Sequence, residues 1–365
     1  MGIQAVSVAF RKAAENFIKR SSNDIAGAVV IVSGITESKT QSFSTFDDFK
    51  KWNENEKIVT DTEVVELIRL LFVGNVTKPK AVVLEFTTYD NGAGALALHM
   101  ALRKLEENGV SYFTAFVEAG QDVDVFEIES ECSTYVNEHK SMFSVGRIEG
   151  DDMYSIMTCD NAEVSGCTNG GMKALITGML AGTPITQSIT NSIIDSTLIT
   201  GYTDATKEEL DSYVDSGVIA IFYDKGKYRV SKGVNTLQTL EEHQTEGMKK
   251  IKIASAMHMM SGDIKDILND NYIGKMPNTY DNKCVVMAMI GEYLRGLADE
   301  DIIDDDFSVD IDIEAQKTYL KEKGVSVEDM EDDEIKEYNT DDKVFLKLRV
   351  KFVDAMEDIS IVVEI

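Results

Sequence analysis

A glycine-rich turn is the strongest candidate for chemistry in the sequence. Gly92–Ala97 reads G-x-G-x-x-A, follows a predicted strand and opens a predicted helix, and Glu118 stands at the end of the next predicted strand. A dinucleotide-binding fold needs the first glycine almost at the tip of the strand, so that the pyrophosphate meets the helix N-terminus. Here several residues intervene, and a helix cap beside small, closely packed residues is the other interpretation. A nucleotide-dependent oxidoreductase therefore stays open as an alternative.

The remaining reactive residue types form no recognisable constellation. The acidic run at residues 299–306 has no glycine at the sixth position of a calcium loop, and no nucleophile elbow or P-loop occurs. Four histidines and four cysteines are scattered at spacings that fit neither a zinc site nor a disulfide framework: His99, His139, His243, His258, Cys132, Cys159, Cys167 and Cys284. We expect His258, on an apolar helix face, to be packed. The sequence predicts a protein that is not an enzyme and that carries no metal or cofactor.

Charge and composition narrow the class of partner. The chain has 36 basic and 64 acidic residues, a formal net charge of −28, so a nucleic-acid surface is not expected. The same charge disfavours an anionic lipid surface. A hydrophobic content of 43% can fill a sizeable core. No signal peptide or long apolar run appears, and we expect a soluble chain made in the cytoplasm without membrane insertion.

Hydrophobic periodicity predicts the elements that would position any site. To about residue 140, predicted strands alternate with amphipathic helices, which indicates an α/β layer with largely parallel pairing. A hairpin is expected around Asp224-Lys225-Gly226, between strands Val218–Tyr223 and Lys227–Ser231. Two long helices follow, at Met248–Leu268 and Asp281–Leu297. Residues 299–342 then carry 19 acids and 4 lysines, a net charge of −15.

The two ends of the chain and a segment before the last one alternate as strands do. Gln4–Phe10, Lys343–Phe352 and Ile359–Ile365 each place apolar side chains on one face, and in the middle segment Lys347, Arg349 and Lys351 share the opposite face. An unpaired apolar strand leaves an adhesive edge. The terminal strands either pair within their own subunit or complete the sheet of a neighbour by strand addition, and the pattern leaves both interpretations open.

Several stretches carry a resemblance to a known family. They are GVNTL at 233–237, MKKIKIASAMHMMSGDIKDIL at 248–268, NYIGK at 271–275, VDIDIEA at 309–315, VKFVDAM at 350–356, LAGTP at 180–184 and the segment RKAAENFIKRSSNDIAGAVVIV at 11–32. In order and spacing they resemble the tail sheath proteins of contractile phages, in particular the shorter type of Gram-positive prophages and phage-tail-like bacteriocins. The P-G-V-Y-like start of longer phage sheaths is absent.

The resemblance implies a structural role. Such a subunit polymerises helically around an inner tube and contracts to drive the tube through a target cell envelope. The implied partners are many copies of the chain, the inner tail tube protein, and the baseplate and tail terminator proteins, with assembly in the bacterial host cytoplasm. A non-contractile self-assembling shell protein is a further alternative, beside the oxidoreductase at Gly92–Ala97.

The implied fold is α+β, with an α/β-layered middle region and a C-terminal sheath domain whose terminal arms complete neighbouring sheets. The expected boundaries are 1–20 for an N-terminal arm, 21–232 for the middle region, 233–342 for the C-terminal core and 343–365 for the last strands. The strands expected to be exchanged contain Gln4, Val6, Val8, Phe10, Ile359, Ile361, Val363 and Ile365. The receiving strand would contain Val344, Leu346, Leu348 and Val350, and a tube-facing helix would present Lys249, Lys250 and Lys252.

Overall fold

A computed structural model describes residues 20–89, 94–121, 123–139, 141–146, 152, 154–167, 169–242 and 244–363. They pack as two units. The α/β unit comprises residues 22–259 and 352–363, and the C-terminal unit comprises residues 20–21 and 260–351. The predicted strand Gln4–Phe10 and the residue Ile365 lie outside the described residues. The domain boundaries predicted from the sequence stay predictions.

The α/β unit is built on one long sheet with smaller sheets beside it. Its elements are β1 Ile25–Ile31, β2 Lys39–Phe43, α1 Phe46–Glu56, α2 Thr62–Leu70, β3 Ala81–Thr87, α3 Gly94–Glu107, β4 Tyr112–Val117, α4 Val125–His139, β5 Phe143–Gly146, β6 Ile156–Thr158, β7 Ala162–Val164, α5 Gly171–Ala181, β8 Ile193–Ile194, β9 Ile199–Tyr202, α6 Lys207–Asp215, β10 Val218–Ile219, β11 Ile221–Asp224 and β12 Lys227–Val230. The long sheet has the order β10-β6-β5-β4-β1-β3-β2. All neighbours in it are parallel except β2, which runs antiparallel to β3.

Helices cover both faces of this sheet, which explains why its central strand is apolar throughout. In β1, Ala28 and Val30 face a core shared with helices α1, α2 and α5. Val29 and Ile31 face the opposite core, shared with α3 and α4. A strand buried on both sides loses the alternation of a half-exposed strand and becomes a continuous apolar run. The predicted α/β layer with parallel pairing is thus confirmed.

The predicted hairpin is confirmed, with one correction. Strands β11 and β12 pair antiparallel around the two-residue loop Lys225-Gly226, whose φ angles are +48° and +85°. Positive φ at both loop positions matches the twist of a tight hairpin, and glycine adopts it without a steric cost. The predicted strand Val218–Tyr223 is divided, because Val218–Ile219 pairs with β6 in the long sheet.

In the described residues, the C-terminal unit consists of helices and a small two-stranded sheet. Its elements are the second part of α7 Ile251–Asn271, then α8 Tyr280–Asp299, β13 Ser308–Ile311, α9 Ile313–Glu322, α10 Asp332–Glu337 and β14 Leu346–Arg349. The Tyr293 hydroxyl of α8 donates a hydrogen bond to Asp263 of α7 at 2.7 Å. Leu320, Val327 and Ile335 form an apolar cluster between α9 and α10. Part of the acidic region 299–342 is therefore helical, in α9 and α10.

Two predicted elements near the C-terminus need correction. The helix predicted at Met248–Leu268 begins only at Ile251, since a 3-10 turn occupies Glu246–Lys249 and Lys250 bridges to Val234. The strand predicted at Ile359–Ile365 is absent over residues 359–363, which form no strand and are exposed. A strand needs a partner for its backbone N–H and C=O groups, and this segment has no ladder partner in the described chain.

Candidate functional site

The carboxyl edge of the long sheet is where ligands bind in α/β folds, beside the strands at which the strand order reverses. Here β1 and β4 are those neighbours, and Glu118 follows β4 directly. Its buried carboxylate accepts hydrogen bonds from the backbone N–H of Thr60 at 2.7 Å and of Asp61 at 3.2 Å, where α2 begins. The protein's own carboxylate therefore occupies the helix N-terminus at this edge, which a phosphate would otherwise bind.

The glycine-rich turn serves packing at the start of α3. A Cβ atom on Gly94 would lie 2.7 Å from the ring of Tyr89, so the glycine makes room for the tyrosine. The Tyr89 hydroxyl in turn donates to Glu127 of α4 at 3.3 Å. Gly92 and Ala93 lie outside the described residues. The arrangement around Gly94 and Glu118 gives the nucleotide-binding alternative no support.

The other reactive side chains are dispersed. Within the described ranges, no group of three or more His, Cys, Asp or Glu side chains is arranged to hold a metal ion. All four cysteines are free thiols. His258 stacks on the ring of Phe143, with ring centroids 4.6 Å apart, as expected for a packed histidine.

A buried ion pair that the sequence analysis missed joins α5 to α4. Lys173 Nζ lies 2.5 Å from Glu129 Oε1 and donates to the carbonyl of Ala115 at 2.8 Å. The side chains are only 5% and 3% exposed. The available signal was a single lysine in the otherwise apolar helix Gly171–Ala181, since a lone charge in a fully buried helix requires a buried partner.

The predicted receiving strand forms an open sheet in the C-terminal unit. β14 pairs antiparallel with β13, with Leu346 opposite Ile311 and Leu348 opposite Val309. Within the described residues this sheet has two strands, so each of them keeps one edge without a strand beside it. The predicted alternation is visible: Leu346 and Leu348 are half-buried, whereas Lys347 and Arg349 are exposed. Val344 and Val350 lie just outside the strand.

An apolar groove lies beside this sheet. It has a volume of about 400 Å³ and runs along the second part of α7, where Met260, Ile264 and Leu268 line it together with Ile273. Leu348 of β14 forms part of the same wall. Ile273 is 65% exposed, so a large apolar side chain there faces solvent in the described chain.

The C-terminal segment has a bound part and a free part, both in the α/β unit. The side chain of Glu357 is 5% exposed; its Oε1 accepts from Ser188 Oγ at 2.8 Å and from Thr190 Oγ1 at 2.6 Å. Beyond it the chain turns to solvent, with exposed fractions of 74% for Ile359 and 79% for Ile361. A polar anchor thus precedes a stretch of unpaired apolar residues.

The predicted tube-facing lysines have partners within the chain. Lys249 pairs with Glu246 at 3.1 Å, and Lys250 pairs with Asp354 at 2.5 Å and with Glu357 at 3.1 Å. Burial opposes the charge of Lys250, but hydrogen bonds to the two carboxylates outweigh it and raise the pKa of the amine. Lys252 is buried and donates to the carbonyl of Val353, and burial lowers its pKa.

Comparison with known proteins agrees with this architecture. Residues 243–365 match the phage tail sheath C-terminal domain. The whole chain is 31% identical over 372 residues to the tail sheath protein of the Clostridium phage phiCD119, covering 99% of that protein. The chain belongs to the phage tail sheath family. It is therefore a structural subunit of a contractile tail sheath, a component of the tail that works in many assembled copies, and the expectation from the resemblance is confirmed.

Solved sheath proteins share the fold of this sheath subunit at low sequence identity. A sheath from an extracellular contractile injection system, PVC, in its contracted state aligns with a TM-score of 0.65 and 12% identity, over 100% of this chain and 98% of that one. A sheath tail protein from Listeria innocua aligns with a TM-score of 0.60 and 10% identity, over 83% of this chain and 91% of that one. The predicted α+β class is confirmed. Over the described residues, no helix is long and apolar enough to span a membrane.

Proposed function

We propose that copies of this sheath subunit are joined by strand addition, with the C-terminal arm of one copy pairing with β14 of a neighbour. The arm is defined as residues 359–365. The proposal is supported by the presence, in the described part of one chain, of a sheet with open edges and of a strand-like segment that has no pairing partner. Within the described residues, the β13–β14 sheet has edges without a strand beside them, and residues 359–363 of the arm are largely apolar, strand-forming residues without a ladder.

The side-chain pattern fits such a joint. Ile359, Ile361, Val363 and Ile365 lie on one face of an extended arm, because side chains alternate along a strand. Paired with β14, this face would cover the half-buried side of that strand and fill the apolar groove beside Leu348. Fully burying one such side chain contributes roughly 1.5–3 kcal/mol. Three or four of them, with the backbone ladder, would offset much of the cost of ordering the arm and joining two subunits.

The N-terminal arm is proposed to supply a further strand. Gln4, Val6, Val8 and Phe10 alternate in the sequence in the same way, and a two-stranded sheet has two outer edges. With one arm on each edge, every copy would receive strands from neighbours and donate its own. Contacts of this kind are heterologous and propagate instead of closing on a dimer, which yields a helical tube.

The tube is proposed to surround an inner tail tube and to end at baseplate and tail terminator proteins, as the family membership implies. Assembly would take place in the host cytoplasm. Backbone ladders tolerate rigid-body motion of the subunits, so the mesh could stay connected while the packing switches between two discrete arrangements. No reaction within the chain is required for this step, and the proposed subunit is not an enzyme.

Contact with the inner tube through the start of α7 stays a prediction. Lys250 and Lys252 bind the chain's own residues 353–357, so a tube contact through them requires these bonds to be exchanged or shared. Lys249 pairs with Glu246, one turn away, and forms no ion pair with residues 353–357 in the described chain. Of the three lysines, it is the one that can turn to an inner tube without loosening the C-terminal segment.

Electron microscopy of the purified, concentrated chain tests the proposal. The full chain should form hollow tubes, and deletion of residues 359–365 should leave monomers or small oligomers. The matched point variants are Ile361→Asp on the proposed apolar face and Ser360→Asp on the opposite face. Both residues are exposed in the single chain, so neither charge should unfold it. Ile361→Asp should prevent tubes and Ser360→Asp should not; equal behaviour of the two variants would contradict strand addition in this register.

A further inference from the structure

We propose that Glu357 is the positioning residue of the C-terminal arm. It fastens the arm root, residues 353–358, to the α/β unit of its own subunit, and so fixes the point and direction from which the arm reaches a neighbour. The inference rests on the strand addition proposed above. It adds a separate claim, that the arm is aimed by a buried carboxylate and does not hang as a free tether.

In residues 356–359 the apolar side chains are exposed and a charged side chain is buried, the reverse of the ordinary preference. Met356 and Ile359 are apolar, yet they are 92% and 74% exposed. Glu357 between them carries a charge, yet its side chain is 5% exposed. Charged side chains are almost never buried unless paired. A segment that only needed to adhere to the surface would bury its apolar residues, so the burial of Glu357 indicates selection for a specific, directional contact.

Three donors converge on this carboxylate and compensate its burial. Ser188 Oγ and Thr190 Oγ1 donate to Oε1 at 2.8 and 2.6 Å, and Lys250 Nζ lies 3.1 Å from Oε2. Hydrogen bonds to a charged group are shorter and roughly twice as strong as neutral ones, and they fix orientation. Apolar contact has no preferred direction. The site therefore constrains both the position and the angle of the chain at Glu357.

The segment that binds Glu357, around Thr190, is held in place by a hydrogen bond to the backbone of Gly233. The N–H of Gly233 donates to Thr190 Oγ1 at 2.9 Å, and the carbonyl of Gly233 accepts from the N–H of Ile251 at 3.0 Å. A Cβ on Gly233 would lie 2.8 Å from the Ile189 side chain, so only glycine allows this approach. Gly233, the first residue of the GVNTL stretch, thus helps to hold in place the Thr190 hydroxyl that binds the arm root.

The other contacts of the arm root are a partly exposed ion pair between Asp354 and Lys250 at 2.5 Å, an exposed ion pair of Asp358, and a bond to the backbone of Val353. Asp358 pairs with Lys232 at 2.6 Å, but the aspartate side chain is 82% exposed. Lys252 donates to the carbonyl of Val353, a bond that substitution of the Val353 side chain leaves intact. Exposed ion pairs contribute between about 0 and 1 kcal/mol. Glu357 is therefore the side chain on which the fastening of the arm root depends most.

Release of the root should weaken assembly without unfolding the subunit. An arm that begins at a fixed point near its target has a high effective concentration, which falls as the tether becomes longer and more flexible. Release of the whole root, residues 353–358, adds six residues to the seven-residue arm, so the free length does not quite double and a moderate effect follows. We expect the critical concentration for tube formation to rise by roughly two- to threefold, because effective concentration falls as about the −3/2 power of the tether length.

The experiment compares Glu357→Gln and Glu357→Ala with Glu54→Gln, which removes the same charge from an exposed position on α1. Critical concentrations are measured by sedimentation, and hydrogen exchange is measured at the amides of residues 353–358. We expect both Glu357 variants to raise the critical concentration and to speed exchange in the arm root, with Glu54→Gln unchanged. If either Glu357 variant loses its cooperative thermal transition, Thr190→Val takes its place, since it removes one donor and keeps the carboxylate.

Two further variants separate the two proposals. Deletion of residues 359–365 tests strand addition alone; tubes formed by the deleted chain would contradict that proposal and, with it, a role for the arm root. If the deletion abolishes tubes while the Glu357 variants assemble and exchange like Glu54→Gln, only the positioning role is overturned. Lys250→Met supplies a double-mutant cycle: the combined effect with Glu357→Gln should be smaller than the sum, and additivity would contradict a shared fastening.

Discussion

Lys173 and Glu129 form an ion pair of 2.5 Å that links helices on opposite faces of the long sheet. Both side chains are buried, and the lysine also donates to the carbonyl of Ala115. The pair thus ties α5, α4 and β4 together inside the α/β unit.

Removal of one partner of this pair should be strongly destabilising. Glu129→Gln or Lys173→Met leaves an uncompensated buried charge, which costs about 3–5 kcal/mol. The double variant Lys173→Met/Glu129→Leu removes both charges at similar volume, and it should recover most of that loss. Chemical denaturation with the midpoint and slope recorded measures the free energy of unfolding. A double variant as unstable as the sum of the single ones would show that the charges contribute independently.

Gly178 in α5 should not tolerate alanine. In a helix interior, glycine to alanine normally stabilises by roughly 0.5–1 kcal/mol. A Cβ at position 178 would lie 2.6 Å from the carbonyl oxygen of Leu71 and 2.7 Å from that of Leu70, and backbone cannot move aside cheaply. Overpacking of this kind costs about 1–3 kcal/mol. We therefore expect Gly178→Ala to lower the thermal midpoint.

Gly291 in α8 is the matched control for this substitution. A Cβ there meets no atom within 4 Å, so Gly291→Ala should raise the thermal midpoint by the ordinary helix-propensity gain. A thermal midpoint lowered by Gly178→Ala and raised by Gly291→Ala would confirm that Gly178 allows the close approach of α5 to the end of α2. The same sign for both would mean that the contact at Gly178 relaxes without cost.

The sequence alone predicted the local elements well because each carried its own signal. The two-sided apolar run of β1 and the Asp224-Lys225-Gly226 turn specify their conformations through neighbouring residues. The arm residues Ile359 and Ile361 carry an equally clear strand pattern, yet they form no strand in the described chain. Their alternation predicts an apolar face that needs to be buried, but it does not indicate which surface would bury it.

Contacts between distant segments could not be predicted from the sequence. Lys250 and Lys252 looked like a basic helix start facing outward, but their partners are Glu357, Asp354 and the carbonyl of Val353, about a hundred residues later. Glu118 looked like the acidic residue of a nucleotide site, and it instead binds the backbone where α2 begins. Charge type is visible in a sequence, whereas the partner of each charge depends on the tertiary fold.

The Tyr293–Asp263 hydrogen bond should make the C-terminal unit sensitive to alkaline pH. Burial, with the acceptor carboxylate second, raises the pKa of Tyr293 well above its ordinary range. A raised pKa means that the stabilising contribution is fully present below about pH 10, the value of an unfolded tyrosine, and is lost as pH rises above it. Tyr293→Phe should cost about 1–2 kcal/mol at pH 7. The gap between wild type and variant, followed by thermal unfolding from pH 7 to 11, should narrow above pH 10; a constant gap would contradict the assignment.

Lys283 should show the opposite dependence on pH. It is buried in α8, its amine donates to Thr340 Oγ1 at 3.2 Å, and burial lowers its pKa. The folded state then holds its proton less tightly than the unfolded state, so stability rises with pH up to about 10.4, the value of an unfolded lysine. Lys283→Met keeps the aliphatic chain and removes the buried charge.

We expect Lys283→Met to raise the free energy of unfolding at pH 7 by about 1 kcal/mol, since an imperfectly compensated polar group no longer has to be buried. Thr340 keeps its bonds to Asn278 and to the carbonyl of Lys343, so the loop that it closes should persist. The difference between variant and wild type should shrink as pH approaches 10, because the folded wild-type amine, whose pKa is lowered, then loses its proton and no longer buries a charge. A variant that is less stable than wild type at pH 7 would show that the charged amine contributes a net favourable interaction in the folded unit.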